Sequence, residues 1–436
     1  MARFSFGDRL QGRLLSYFSV DAREIGGNTA WLLFDRLVRM SLGFLVGAWV
    51  ARALGPDDFG TLSYALSFIL MFQAIATFGA DTVVVQKLAV DEDNARETLG
   101  SAFLLRCALG LFCWIAAPLI MLAMNPGEPG LAILTAIIGG SLLFQAADCV
   151  DLWFQSKTQS RRTVMAKLTA YVLTNGVKVA LILLKAPLVY FALAVLAEAI
   201  AVAIALSIAY RLYPTRGAWK ASRHMMVEII RSAWPFMLSG LLIMIYMRID
   251  MIMLKELKND TEVGLYAAAL PLSQLLQIVP LTVVTSMAPL VARKRQENIE
   301  AYEKLLLFMF RMLVCASLVL AIVTAALAPW LVQLLFGADY AVTAEVLRIH
   351  VFSGIFISMG LVQGLWFVNE GKGWIYTVKT FMGALVVIIG NFYVIPLSGA
   401  QGAAGVAVGA HMLSAWLSNL ILAPKIWLMQ IGIAPR

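Results

Sequence analysis

Charge is scarce in this chain of 436 residues: Asp, Glu, Lys and Arg together make up 14% of it, against about 25% in a soluble domain. The polar breaks between its apolar stretches rarely exceed 16 residues, so none can fold as a nucleotide-binding domain. A Gly-x-x-x-x-Gly-Lys-Ser/Thr phosphate loop is absent, which excludes ATP hydrolysis by that route. Neither His-Glu-x-x-His nor Gly-x-Ser-x-Gly occurs, and no outer loop is large enough to fold over a glycan acceptor. A membrane glycosyltransferase, polymerase or ligase is therefore disfavoured; the chain reads as no enzyme and calls for no cofactor. Cysteine is rare as well. Cys107, Cys113, Cys149 and Cys315 all fall within apolar stretches and lack ligand-like spacing, so neither a disulfide nor a metal site is indicated.

Apolar residues instead fill 61% of the chain. A hydrocarbon core of about 30 Å takes about 20 helical residues to cross, and only helices or closed barrels satisfy their backbone there. Twelve stretches meet that length: 27–52, 60–86, 98–124, 130–154, 163–185, 187–211, 229–254, 263–291, 304–328, 342–368, 373–396 and 400–428. Continuous apolar runs such as Leu131 to Leu143 do not alternate as barrel strands do. The expected fold is an all-α integral membrane protein of about twelve transmembrane helices.

Orientation follows from Lys and Arg in the loops. The side carrying both termini holds twenty-three, including Lys372 and Lys379 before and within the start of the eleventh span, and the opposite side holds five. Both termini are expected in the cytoplasm. The net charge of +8 is mostly this signal, with attraction to anionic lipid headgroups, and requires no nucleic acid. Residues 1–24 lack a cleavage site. They read as a cytoplasmic tail or, with Phe4, Phe6, Leu10, Leu14 and Phe18 on one face, as an interfacial helix.

The two halves echo one another. Trp31, Asp57, Gly60, Tyr64 and Gln73 find counterparts in Trp234, Asp260, Gly264, Tyr266 and Gln277, at offsets of 202–204 residues. Six spans per half insert with the same orientation, which predicts two six-helix bundles related by a pseudo-two-fold axis along the membrane normal. The expected organisation is a tail at 1–26, a first bundle at 27–212, a linker at 213–228 and a second bundle at 229–436. Such folds usually rock their halves around a central site.

Charges inside the spans cost several kcal/mol near the bilayer centre and usually face partners or a wet cavity. Embedded cations are Arg36, Arg39, Arg106, Lys178, Arg248 and Arg311; embedded acids are Asp35, Asp81, Asp148, Asp151, Glu198 and Asp250. Asp35 and Arg39 are four apart and pair along a helix, which leaves Arg36 for another partner. Arg248 and Asp250 lie roughly 200° apart around a helix, so they cannot pair with each other. Interhelical salt bridges or snorkelling ends are the expectation for Asp81, Asp148, Asp151 and Arg311 near the cytoplasmic edge, and a cavity for Arg36, Arg39 and Arg248. Gln73 and Gln277 hold equivalent mid-span places, suited to sugar hydroxyls or to bonds across helices. His411 reads as a packing residue. The eighth span carries Pro271, Pro280 and Pro289, each of which removes a backbone hydrogen bond and suits a gate or hinge.

Several stretches then resemble the Wzx-type polysaccharide flippases. The first is Arg52-Ala-Leu-Gly-Pro-Asp-Asp-Phe-Gly-Thr-Leu-Ser-Tyr-Ala, and the next are Trp234-Pro-Phe-Met-Leu-Ser-Gly and Tyr246-Met-Arg-Ile-Asp-Met-Ile-Met-Leu. Glu262-Val-Gly-Leu-Tyr-Ala-Ala-Ala and Leu335-Phe-Gly-Ala-Asp-Tyr complete the set. That family belongs to the multidrug/oligosaccharidyl-lipid/polysaccharide exporter superfamily. The resemblance implies moving a polyprenyl-pyrophosphate-linked oligosaccharide, such as an O-antigen unit for lipopolysaccharide, to the outer leaflet of the bacterial inner membrane. It also implies H+ or Na+ as a driving ion and polysaccharide polymerase and ligase machinery as neighbours. Arg36, Arg39, Arg248 and Lys178 would receive the pyrophosphate, with Gln73 and Gln277 on the sugars and Asp35, Asp250 or Glu198 as ion-coupling carboxylates. Arg suits the task, since it holds phosphate oxygens bidentately and stays charged when desolvated. Lipid II flippases of the same group usually have fourteen spans, which twelve counts against. The competing reading is a cation-coupled multidrug or metabolite exporter, which an acid-dominated cavity would favour; a membrane scaffold is a third.

Overall fold

The structure, a computed structural model, describes residues 6–91, 93–212 and 218–433, with side chains from Trp31 onward except Leu32 and Leu33. The aromatic face expected at Phe4, Phe6, Leu10, Leu14 and Phe18 lies outside the described side chains, although the backbone from Phe6 is helical. Among the described residues nine helices are long and apolar enough to cross a membrane, and a bent pair, Ala338–His350 with Ser353–Asn369, makes a tenth. Two of the nine, Phe34–Val90 and Gly373–Leu422, have 57 and 50 residues. Each is a hairpin of two limbs, so the described residues hold about twelve candidate spans.

Glycine makes both reversals. Gly55 (φ 75°, ψ 170°) separates the first and second spans, and Gly399 (φ 52°, ψ −134°) the eleventh and twelfth. At Gly399 a side chain would be doubly opposed, by the positive φ and by the Glu262 carboxylate against its α-carbon. Glu262 Oε2 accepts the Ala400 N–H at 2.6 Å, which satisfies one of the free amides opening the twelfth span. Beyond the turn, Gly402 packs on Val394 and Gly390 on Val406, the register of two antiparallel limbs. Replacing Glu262 by alanine is expected to cost about 1 kcal/mol, the usual worth of such a cap, read as a lowered midpoint of thermal unfolding in detergent.

The remaining spans follow the hydropathy. Ala95–Met124, Pro129–Ser156, Ser160–Leu183 and Leu188–Leu212 complete the first bundle. Arg223–Leu257, Asp260–Glu297, Ile299–Leu335, the bent tenth span and the Gly399 hairpin make the second. The eighth span is interrupted between Leu276 and Ile278. Its cause is Pro280, which has no N–H for the Leu276 carbonyl. The second span breaks likewise, between Ala76 and Asp81, with Phe78 and Gly79 at φ 55° and 58°. The duplication thus extends to a broken second helix in each half, with Gln73 and Gln277 just before or at the break.

The apolar cores show how the bundles meet. One buried cluster runs through both halves and includes Val50, Tyr64 and Ala65 with Val263, Ala267 and Tyr340. It lies on the face opposite the termini. Toward the termini the second bundle has its own cluster around Phe310, Val362 and Ile426, and the first bundle another around Leu88, Leu99 and Phe154. The start of the seventh span joins that last cluster through Met225, Ile229 and Ala233. The bundles are therefore fused on the far face, whereas on the face that carries the termini two clusters form, one of which takes in the start of the seventh span.

Candidate functional site

A cavity of about 520 Å³ sits where the bundles diverge. The first span supplies Arg39, Gly43 and Phe44, the fifth Tyr171, the seventh Arg248, and the eighth Pro271 and Gln274. Toward the termini it continues into a space of about 230 Å³ that shares Met40 and Gln274 and adds Arg36 and Gln277. A side pocket of about 160 Å³ shares Gly43, Phe59 and Tyr171 and reaches Asn175 and Lys178. The four cations singled out in the sequence thus line three neighbouring spaces that share wall residues. Gln277 joins them, whereas Gln73 is not among the residues lining these three spaces.

The cations differ in how they are held. Arg39 Nε donates to Asp35 Oδ1 at 2.7 Å, and its guanidinium carbon lies 5.1 Å from the centre of the Tyr171 ring. Its Nη2 is buried without a hydrogen-bond partner. Tyr171 in turn donates its hydroxyl to the Arg39 carbonyl at 3.1 Å, which fixes the ring beneath the guanidinium. Lys178 pairs with Glu198 at 2.8 Å. Arg36 and Arg248 have no ion pair or hydrogen bond among the described residues, although Arg248 is half-buried. A half-buried guanidinium with open donors, such as that of Arg248, is an anion-binding group, because five N–H groups in a fixed fork match phosphate oxygens.

Asp250, two residues on, faces the other way. It is buried in the second bundle, accepting from Tyr266 Oη at 2.8 Å and from Asn391 Nδ2 at 2.6 Å, with no basic partner among the described residues. Asn391 Oδ1 beside it is buried without a partner. Asp35 and Glu198 are already matched by Arg39 and Lys178, so of these three acids Asp250 alone lacks a cation among the described residues. Tyr266 belonged to the sequence repeat, and its mate Tyr64 also holds an acid, donating to Glu256 at 2.6 Å. That pairing was a usable signal; Asn391, 141 residues from Asp250, gave none.

The edge acids are ion-paired, whereas Arg311 meets a backbone carbonyl. Arg106 bonds Asp81, Lys167 bridges Asp148 and Asp151 at 2.8 and 2.7 Å, and Arg311 donates to the Gly432 carbonyl at 2.6 Å. His411 bonds Tyr246 at 2.8 Å inside the second bundle. Lys379, counted above among the loop charges, is instead 1% exposed. Its ammonium donates to Gln363 Oε1 at 2.7 Å and Asn419 Oδ1 at 2.6 Å and lies 5.1 Å from the Phe367 ring centre. Amide oxygens from the tenth and twelfth spans draw it inward, which residue counting from a span end does not reveal.

The far face is sealed by the duplicated motif. Gly60 and Gly264 cross backbone to backbone: a Cβ on Gly60 would meet the Asp260 carbonyl, and one on Gly264 the Pro56 carbonyl. Around them Thr261 bonds Asp57 at 3.1 Å, Asn125 donates to Glu256 at 3.2 Å, and Lys255 bonds Glu128 at 2.9 Å. Tyr340 donates to the Ala51 carbonyl at 2.8 Å. The sealed side and the cationic interior lie on successive turns of the same helices.

Comparison with known families decides the kinship. The profile of the family described as "Polysaccharide biosynthesis protein" matches residues 25–295, more than half of the chain. The chain belongs to the polysaccharide biosynthesis protein family. A second profile, MatE, matches residues 235–393. No curated protein matches in sequence. Among solved structures, an inward-facing multidrug resistance MATE family transporter of the MOP superfamily superposes with a TM-score of 0.73. It shares 17% identity over 90% of this chain and 95% of its own. The lipid II flippase MurJ in an inward closed conformation gives 0.69 at 12% identity, covering 93% of this chain and 90% of its own. A MOP superfamily transporter from Pyrococcus furiosus, whose reversed binding-pocket polarity suggests a different function, gives 0.63 at 17% identity over 93% and 96%. A member of the polysaccharide biosynthesis protein family, the chain shares the multi-pass helical fold of these transporters and of the flippase.

Proposed function

We propose that the polysaccharide biosynthesis family member described here flips a polyprenyl-pyrophosphate-linked oligosaccharide across the bacterial inner membrane by alternating access. The observation that carries this reading is Arg248, half-buried in the inter-bundle cavity without a protein partner among the described residues, beside Arg39. A pyrophosphate crossing a hydrocarbon layer needs such groups, because an unpaired charge there costs several kcal/mol. Arg36 and Gln277 stand on the route from the termini-bearing face, and Lys178 at the side pocket. The Lys/Arg asymmetry makes that face cytoplasmic, so the substrate enters there and leaves past the Gly60–Gly264 crossing. The break at Gln277, beside Pro271 in the cavity wall and Pro280 just beyond, serves as the hinge of the eighth span, with Pro289 further along. A cation-coupled multidrug exporter fits less well, since its cargo would meet unpaired guanidinium groups.

Asp250 is the coupling carboxylate in this scheme, with H+ or Na+ as the ion. Asp250→Asn is expected to leave the cavity intact and to remove the dependence of transport on the ion gradient. Transport by reconstituted protein, with and without an imposed gradient, reads this directly; an unchanged gradient response would move coupling elsewhere.

The function itself is tested by leaflet-resolved detection of polyprenyl-linked glycan in cells depleted of the protein. Accumulation in the inner leaflet, reversed by re-expression, is the expected result. An unchanged distribution would sink the flippase reading and bring drug efflux forward.

A further inference from the structure

A second cavity lies away from the central one. Between the fifth and sixth spans, on the face that carries the termini, a crevice of about 590 Å³ opens to the surface. Arg161 and Arg162 stand at one end, Met165, Ile208 and Leu212 form walls, and Ala205 and Ala209 leave the space between the helices. The fifth span separates this crevice from the transport pathway. Tyr171 faces the central cavity, and Thr169, two residues earlier and so about 200° around the helix, faces the crevice.

Its chemistry is split along its length. Met165, Ile208 and Leu212 are 47%, 53% and 70% exposed, so the walls present hydrocarbon to the bilayer. The arginine end is strongly basic. The Arg161 guanidinium carbon lies 5.0 Å from the centre of the Trp31 ring, and that of Arg162 lies 5.7 Å from the Phe154 ring. Stacking holds the Arg161 head in place while leaving the edges of its guanidinium open to oxygen acceptors. Asp148 and Asp151, on the preceding helix, are occupied by Lys167 at 2.8 and 2.7 Å. No ion pair engages Arg161 among the described residues. An apolar channel with cations at headgroup level complements one class of ligand, and basic pockets between transmembrane helices are known to take anionic lipid heads.

We propose that the crevice between the fifth and sixth spans is a binding site for an anionic glycerophospholipid. Its phosphate sits on Arg161, with the positive charge of Arg162 beside it, and the upper part of one acyl chain lies between Met165 and Ile208. The site is separate from the translocation cavity and ties the first bundle to the leaflet on the termini side.

The test uses purified full-length protein titrated with phosphatidylglycerol or phosphatidylcholine, with retained lipid read by native mass spectrometry. Phosphatidylglycerol is expected to bind the wild type in preference to phosphatidylcholine. The Arg161→Gln/Arg162→Gln variant is expected to bind it about 30-fold more weakly, from about one factor of five per lost charge. Ala209→Phe, which keeps both arginines and fills the channel, is expected to lose the lipid as well. Equal retention of the two lipids, or undiminished phosphatidylglycerol on the double variant, would overturn the proposal. Loss with the arginine variant but not with Ala209→Phe would reduce the site to surface charge and overturn the crevice. Displacement of the phospholipid by polyprenyl pyrophosphate would assign the crevice to the transported lipid instead.

Discussion

Arg248→Ala is expected to slow transfer of the lipid-linked glycan by about 10- to 150-fold, the worth of one charge-assisted hydrogen-bonding group of about 1.5–3 kcal/mol. The variant should still reach the membrane at wild-type levels. Arg248 makes no ion pair or hydrogen bond among the described residues, so its removal orphans nothing in the fold. Arg39 is a poorer choice for the same test. Cutting it leaves Asp35 without its 2.7 Å partner and Tyr171 without the cation above its ring, and breaking a partly buried pair costs stability in its own right. Arg248→Lys keeps the charge but not the bidentate fork and should fall between wild type and alanine. Leaflet-resolved glycan detection in complemented cells, normalised to protein in the membrane, gives the ratio. Full rescue by the alanine variant would demote Arg248 to packing and leave the flippase reading to stand on Arg36, Arg39 and Lys178.

The placement of Arg248 and Asp250 shows what a sequence of this kind discloses. Two residues on a helix face opposite ways, so one of the pair had to point away from the other, and the fold puts Arg248 in the cavity and Asp250 against Tyr266 and Asn391. Span number was legible for a similar reason: hydrocarbon thickness sets a length, and the chain repeats that length twelve times. The repeat was legible at Gly60 and Gly264, and the structure adds that these two glycines touch. Pairings across helices were not legible. Lys178 and Glu198 lie on neighbouring spans 20 residues apart, and nothing in their surroundings distinguishes that pair from others at similar depth. Lys379 failed for a related reason. Depth counted from a span end ignores tilt and the bent helix beside it, so a residue assigned to a loop lies under Phe367, bonded to Gln363 and Asn419. Gln73 matched Gln277 in position along the repeat, but of the two Gln277 alone lines the spaces described above. A duplicated sequence does not require the two halves to present the same residue to an asymmetric substrate.

Gly60→Ala is expected to hold the far face open. At this position the two bundles approach through main chain on both sides: a single methyl on Gly60 would overlap the Asp260 carbonyl and press on the Gly264 amide. Side chains yield by changing rotamer, but two helix backbones yield only by moving apart. Overpacking of this sort costs about 1–3 kcal/mol, which weights the open form of the seal by roughly 5- to 150-fold. The substitution raises helix propensity, so its effect falls on the meeting of the bundles and not on either helix alone. Gly130→Ala is the matched control, since nothing lies within 4 Å of a Cβ there and its φ is not positive. Val263, fully buried in the core that joins the bundles, reports the state of the seal when replaced by cysteine. Cys107 and Cys315, the two native thiols that are not buried, are first changed to serine. A membrane-impermeant maleimide should then label position 263 many-fold faster in the Gly60→Ala protein than in its Gly130→Ala counterpart, and glycan transfer should fall with it. Equal labelling in the two proteins would mean that the Gly60–Gly264 crossing is not the element that closes the far face.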